Sequence, residues 1–187
     1  MDEKEKKIAK VAIDLLSRYG VRKTTMGDIA SEAGISRQTL YASYSNKEEV
    51  LAAAVRYMTD NTHEALTADW RTDETISDKL DTFFQHSVIE YYDILSSMPD
   101  SEDLITGYNT VGKAEQEKAY DRKKDMLADL LSPYEAKLAA NGLTPAQFAD
   151  FIVTASANLK YTAKSRDHLL SLLASLKKST LVIIRGD

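Results

Sequence analysis

No proline occurs before Pro99, and the 187 residues contain only three prolines and seven glycines. A chain so poor in breakers, and so rich in Ala, Leu, Glu, Lys and Asp, can hold helix over most of its length, and an all-α fold is expected. Apolar residues at 43% and charged residues at 28% fit a globular protein rather than a disordered one. The longest apolar runs, Leu51 to Val55 and Leu181 to Ile184, fall far short of the roughly 20 residues that cross a bilayer, so no membrane partner is expected. Cysteine is absent, which removes disulfides, thiolate zinc sites and cysteine nucleophiles. The charged opening, residues 1–7, is followed by no apolar signal segment, and a cytoplasmic location is expected.

The net charge of −5 argues against a nucleic-acid partner only until its distribution is read. Residues 1–50 carry nine basic and eight acidic side chains, whereas the remainder carries fifteen and twenty-one. The acidity belongs to the body, and the head is locally basic.

Within that head, Ile8, Val11, Ala12, Leu15, Leu16 and Tyr19 recur at the spacing of one buried helix face, closed by Gly20. Thr25 and Asp28 form the start signal of a second helix, with Met26, Ile29, Ala30 and Ala33 inward. Gly34-Ile35-Ser36 makes a short turn, with Ser36 as N-cap of a third helix and Ile35 placed to staple onto Leu40. A fourth helix starts at Asn46, answered by Glu49. Two short helices joined by a tight glycine turn make a helix-turn-helix. The outward residues opening the third helix are Arg37, Gln38 and Thr39, side chains able to pair with guanine, pair with adenine and touch a thymine methyl.

The stretches Ile8 to Gly20, Thr24 to Ala30 and Ala33 to Tyr41, followed by Tyr44 and Lys47 to Leu51, resemble the head of the TetR family of bacterial repressors. The resemblance covers roughly residues 5–55 without a gap. It implies a helix-turn-helix DNA-binding domain over residues 1–50, joined by a shared helix to a ligand-binding and dimerisation domain over residues 51–187. It further implies a DNA-contacting set of Thr25, Ser36, Arg37, Gln38, Thr39, Tyr41, Ser43 and Lys47. Thr25, Tyr41 and Lys47 would meet phosphates, while Arg37, Gln38 and Thr39 would face the major groove. Ser43 stands where the family frequently has histidine, and Gly27 where a larger side chain is common.

Beyond residue 60 the pattern predicts five or six further helices. Ile76, Leu80, Phe83, Phe84, Val88, Tyr91, Ile94 and Leu95 form one face up to Pro99, and a short helix is expected over Glu102 to Tyr108. A long charged helix reaches Pro133, and Thr144-Pro145 with Gln147 opens the next. The last helix, from about Asp167, carries leucines over more than one narrow stripe. The resemblance implies that the last two helices pair with a second copy as a homodimer, which suits a palindromic double-stranded operator. It also implies a small-molecule effector, for which Phe84, Val88, Tyr91, Leu104, Tyr108, Tyr120, Met126 and Phe151 are pocket candidates.

Enzyme readings find little support. The histidines His63, His86 and His168 are scattered, no glycine-rich phosphate loop or Gly-x-Ser-x-Gly elbow occurs, and His86 with Glu90 is too small a set for a metal. No catalytic residue, metal or cofactor is expected. The expectation is a dimeric DNA-binding repressor released by a ligand. The alternative is a helical small-molecule-binding or protein-interaction module whose head no longer binds DNA.

Overall fold

The computed structural model describes residues 1–73, 75–99 and 110–185, and these contain helices and connecting turns with no strand. The chain divides into two compact units, residues 1–61 with 94–118, and residues 62–93 with 119–187.

The first unit begins with α1 (Glu3–Lys23), α2 (Met26–Glu32) and α3 (Arg37–Ser43), and takes in the start of α4 (Lys47–Asp69). Ile8, Ala12, Leu15, Met26, Ile29, Leu40 and Val50 make its buried core, with Ile35 packed against it. Every helix start here has a local cause. Asp2 and Glu5 cap α1 reciprocally, Thr25 and Asp28 do the same for α2, and Ser36 accepts from the Thr39 amide at the head of α3. Asn46 accepts from the Glu49 amide, while the Glu49 carboxylate reaches back to the Ser45 amide at 2.7 Å.

Two local expectations change. Gly20 takes φ 80°, a conformation that favours glycine, but it kinks α1 instead of ending it, and Val21 to Lys23 form a further turn. Tyr19 lies off the buried face, with 52% of its surface exposed. Farther along, Arg56 of α4 donates through Nε and Nη2 to the Glu115 carboxylate at 3.1 and 3.2 Å. Glu115 is buried, and the Arg56 hydrogen bond holds its carboxyl below the usual range against the opposing effect of burial.

The second unit contains α5 (Ile76–Phe84), a π turn at Gln85–Ile89 and the start of α6 (Glu90–Ser97). It continues with most of α7 (Thr110–Leu131), a 3₁₀ turn at Ser132–Tyr134, α8 (Glu135–Ala140), α9 (Pro145–Thr162) and α10 (Arg166–Arg185). Leu66, Leu80, Phe83, Leu127, Leu138, Ile152, Leu169 and Ile184 are buried together at its centre. Pro133 ends α7 as its missing N–H requires, and the box of Thr144 and Gln147 opens α9 with Pro145 in its first turn. The helix expected at residues 102–108 lies outside the described residues.

The face that reads as one helix from Ile76 to Leu95 is interrupted by the π turn. There the Glu90 amide bonds the Gln85 carbonyl five residues back, and the buried Ser87 hydroxyl has no hydrogen-bond partner among the described residues. His86 lies in this turn with its two ring nitrogens each 2.9 Å from a carboxylate, Asp69 on one side and Glu90 on the other. Burial disfavours its charged form, but the two carboxylates together outweigh burial and hold its pKa above the ordinary value. Among the described residues no three side chains are grouped to hold a metal ion, and no helix is long and apolar enough to cross a membrane.

Candidate nucleic-acid interface

The turn between α2 and α3 is fixed by backbone chemistry before any side chain faces outward. Gly34 takes φ 65°, its amide bonding the Ser31 carbonyl at 3.1 Å, and the Ile35 amide bonds the Ala30 carbonyl at 3.0 Å. Leu40 is completely buried and anchors α3 in the core, so the opposite side of the helix faces out. Arg37, Gln38, Tyr41 and Ser43 are exposed there and Thr39 is half-buried, its hydroxyl 2.8 Å from that of Ser36.

Arg37 lies back over α2. A Cβ added to Gly27 would fall 2.5 Å from an Arg37 guanidinium nitrogen, so the glycine provides the space the guanidinium occupies. Hydrogen bonds from Thr25 hold Asp28 below the usual carboxylate range, with the nearby Arg37 charge adding to them. The Thr25 hydroxyl donates to Asp28 at 2.7 Å and accepts from the Asp28 amide at 3.2 Å. Lys47 points into the head: its ammonium donates to the Val21 and Thr24 carbonyls at 2.9 and 3.2 Å, where α1 ends. Of the eight residues named from the sequence, Arg37, Gln38 and Tyr41 are thus the long exposed side chains, while Thr25, Ser36 and Lys47 also hold the head's own backbone.

Sequence spacing missed α1 as part of this surface. Lys4 donates to the Ser43 hydroxyl at 2.9 Å, and the Lys7 ammonium lies 4.0 Å from where a Gly34 Cβ would stand. The signal was present as two lysines three residues apart at the start of a helix.

The pocket candidates of the second unit do not gather in one place. Phe84 borders an open groove of about 840 Å³ with Asp81, His86, Leu173 and Lys177, whereas Val88 is buried in the core. Tyr120 and Met126 are partly buried against that core, and the Tyr91 hydroxyl lies 3.1 Å from that of Thr62. Phe151 stacks on Phe148 with centroids 6.2 Å apart and is 57% exposed. Leu104 and Tyr108 lie outside the described residues.

An all-helical chain with a cap-locked helix-turn-helix at its N-terminus is the architecture of a bacterial transcriptional regulator. Residues 8–54 match the family "Bacterial regulatory proteins, tetR family", and the chain belongs to that family, its head carrying the signature. An uncharacterised HTH-type transcriptional regulator of Bacillus subtilis, YerO, is 40% identical over 57 residues, 30% of this chain and 20% of YerO. A second from the same organism, YuxN, is 26% identical over 147 residues, 74% of this chain and 50% of YuxN. The chain thus spans from a fifth to half of the length of these curated relatives. A transcriptional regulator from Cytophaga hutchinsonii shares the fold with a TM-score of 0.73 at 15% identity, over 96% of this chain and 95% of that one. The fatty acid degradation regulator FadR from Bacillus halodurans does so with a TM-score of 0.67 at 16% identity, over 100% and 97% of the two chains.

Proposed function

We propose that this protein is a sequence-specific DNA-binding regulator rather than an enzyme, a cytoplasmic homodimeric repressor released from a palindromic operator by a small molecule. The observation that carries the reading is the α3 surface, where Arg37, Gln38 and Tyr41 stand exposed on a helix held from behind by the buried Leu40. Arg37 and Gln38 have the donor patterns that distinguish guanine and adenine in the major groove. Thr25, Ser36, Thr39, Tyr41, Ser43 and Lys47 fit the supporting role of phosphate contacts and helix caps, with Lys4 and Lys7 adding positive charge from α1.

One short helix reads only a few base pairs, so a two-fold dimer is the economical way to specify an operator. Phe151 and Tyr161 on α9 and Val182 on α10 are large apolar side chains left exposed, which suits these two helices as the pairing surface. The test is selection of binding sites from a random duplex pool with the purified chain. A two-fold symmetric site is the expected product. A pool that stays unenriched, both before and after denaturing removal of bound small molecules, would leave the helical module with a silent head as the better description.

A further inference from the structure

Lys123 and Lys124 are neighbours on α7 in opposite electrostatic settings. Lys124 is paired with Asp150 at 2.9 Å and Asp121 at 3.7 Å, and these bonds raise its pKa. Lys123 points instead to the ring of Tyr91 on α6, with its ammonium 5.2 Å from the ring centre. Lys160 of α9 brings a second ammonium to the same ring, also at 5.2 Å, and lies 4.9 Å from the Tyr161 ring. Two cations from two helices therefore stand within about 10 Å of each other around one aromatic ring, whose hydroxyl meets Thr62 of α4 at 3.1 Å. Neither has a carboxylate partner among the described residues, and both are partly buried.

A tyrosine face attracts an ammonium but does not neutralise it, and two ammoniums at this distance repel. Burial, with Lys160 and then Arg122 adding repulsion, pushes Lys123 down to about 7, and burial pushes Lys160 down to about 8. Stability alone would favour an apolar residue at either position, because a partly buried cation without a counter-charge is costly. The arrangement instead has the parts of an anion site: two convergent positive charges, a ring wall and hydroxyl groups able to donate.

We infer, resting on the effector reading above, that Lys123 and Lys160, with Tyr91 and Thr62, bind the oxyanion of a small organic acid, carboxylate or phosphate, and that this anionic class contains the effector. The ammoniums hold the oxyanion, the Thr62 and Tyr91 hydroxyls orient it, and Lys124 stays with its own carboxylates.

The experiment uses the full chain and the variants Lys123→Met, Lys160→Met and the double variant. Sodium decanoate and sodium phosphate are the probes, and sodium chloride at matched ionic strength is the control. Thermal unfolding and calorimetric titration are the readouts. In the absence of probe, each single variant is expected to melt at or above the wild-type temperature, since it removes a cation without a counter-charge. The wild type is expected to bind one of the probes saturably, and the double variant to lose at least tenfold in affinity. Saturation by decanoate alone identifies a carboxylate site, and saturation by phosphate alone a phosphate site. Equal binding by the double variant, or no saturable binding of either probe, overturns the site.

Release of selected operator DNA is scored separately with the binding probe at saturation. Binding without release upholds the anion site and removes its effector role. Release that persists in the double variant without measurable binding at this site upholds effector control and overturns the lysine assignment.

Discussion

Gly27 and Arg37 act as a pair, and the space between them is where base preference is most easily altered. An alanine Cβ at 27 would stand 2.5 Å from the guanidinium, the far end of a flexible side chain, so Arg37 would swing aside at small cost. Alanine also gains up to about 1 kcal/mol of helix propensity over glycine. Gly27→Ala is therefore expected to melt at or slightly above the wild-type temperature, yet to change the base preferred opposite Arg37 in a repeated site selection. Arg37→Ala should relax that base altogether and cost about 1–3 kcal/mol of specific binding. An unchanged preference in both variants would take Arg37 out of the reading set. Tyr41→Phe removes only an exposed hydroxyl and should weaken all sequences alike with the melting temperature unmoved. Lys47→Ala differs, because it strips a donor from the Val21 and Thr24 carbonyls. A loss of about 1–3 kcal/mol of stability should accompany any fall in its DNA affinity.

The helix boundaries were legible where their cause is local. Thr25 with Asp28, Ser36 before α3 and Thr144 with Gln147 each cap a helix within three residues, so the sequence carries the whole instruction. Arg56 with Glu115, 59 residues apart, and Lys4 with Ser43, 39 apart, were invisible because only packing brings them together. The π turn escaped because Phe83, Phe84 and Val88 satisfy helical spacing with or without it. Two predictions belong to these elements. Arg56→Ala leaves a buried carboxylate with Lys118 as its remaining basic partner, and should cost about 1–3 kcal/mol by chemical denaturation. His86 has a raised folded pKa, so its contribution is complete below its ordinary value of 6.5 and is lost as pH climbs through the raised value. His86→Gln should therefore destabilise more in mild acid than at about pH 9, and an equal loss at both would assign the bridge no net charge effect.

For the molecule as a whole, affinity for an operator depends on two heads being held together. Phe151 and Val182 are each more than half exposed, and burying them between copies would contribute roughly 1.5–3 kcal/mol apiece at full burial. The double variant Phe151→Glu with Val182→Glu is expected to sediment as a monomer with an intact circular dichroism spectrum. Its salt dependence on DNA should then fall to about half the wild-type slope, since half as many phosphates are neutralised together. A variant that stays dimeric would move the pairing surface away from these two side chains. The body was less legible than the head because its helices are specified by apolar pattern alone, and such a pattern does not separate a residue that fills the core, like Val88, from one that lies open, like Phe151.

The π turn at Gln85–Ile89 also bears on how this unit tolerates insertion and deletion. Successive residues of an α-helix are about 100° apart, so removing one residue from the turn would restore regular winding and rotate everything after it by that angle. Tyr91 follows the turn by two positions, and its ring would swing away from both Lys123 and Lys160. A relative of equal fold but one residue shorter at this point would have a different polar lining from an otherwise similar set of side chains. Length at residues 85–89, and not only side-chain identity, is thus a determinant of what this unit can accommodate.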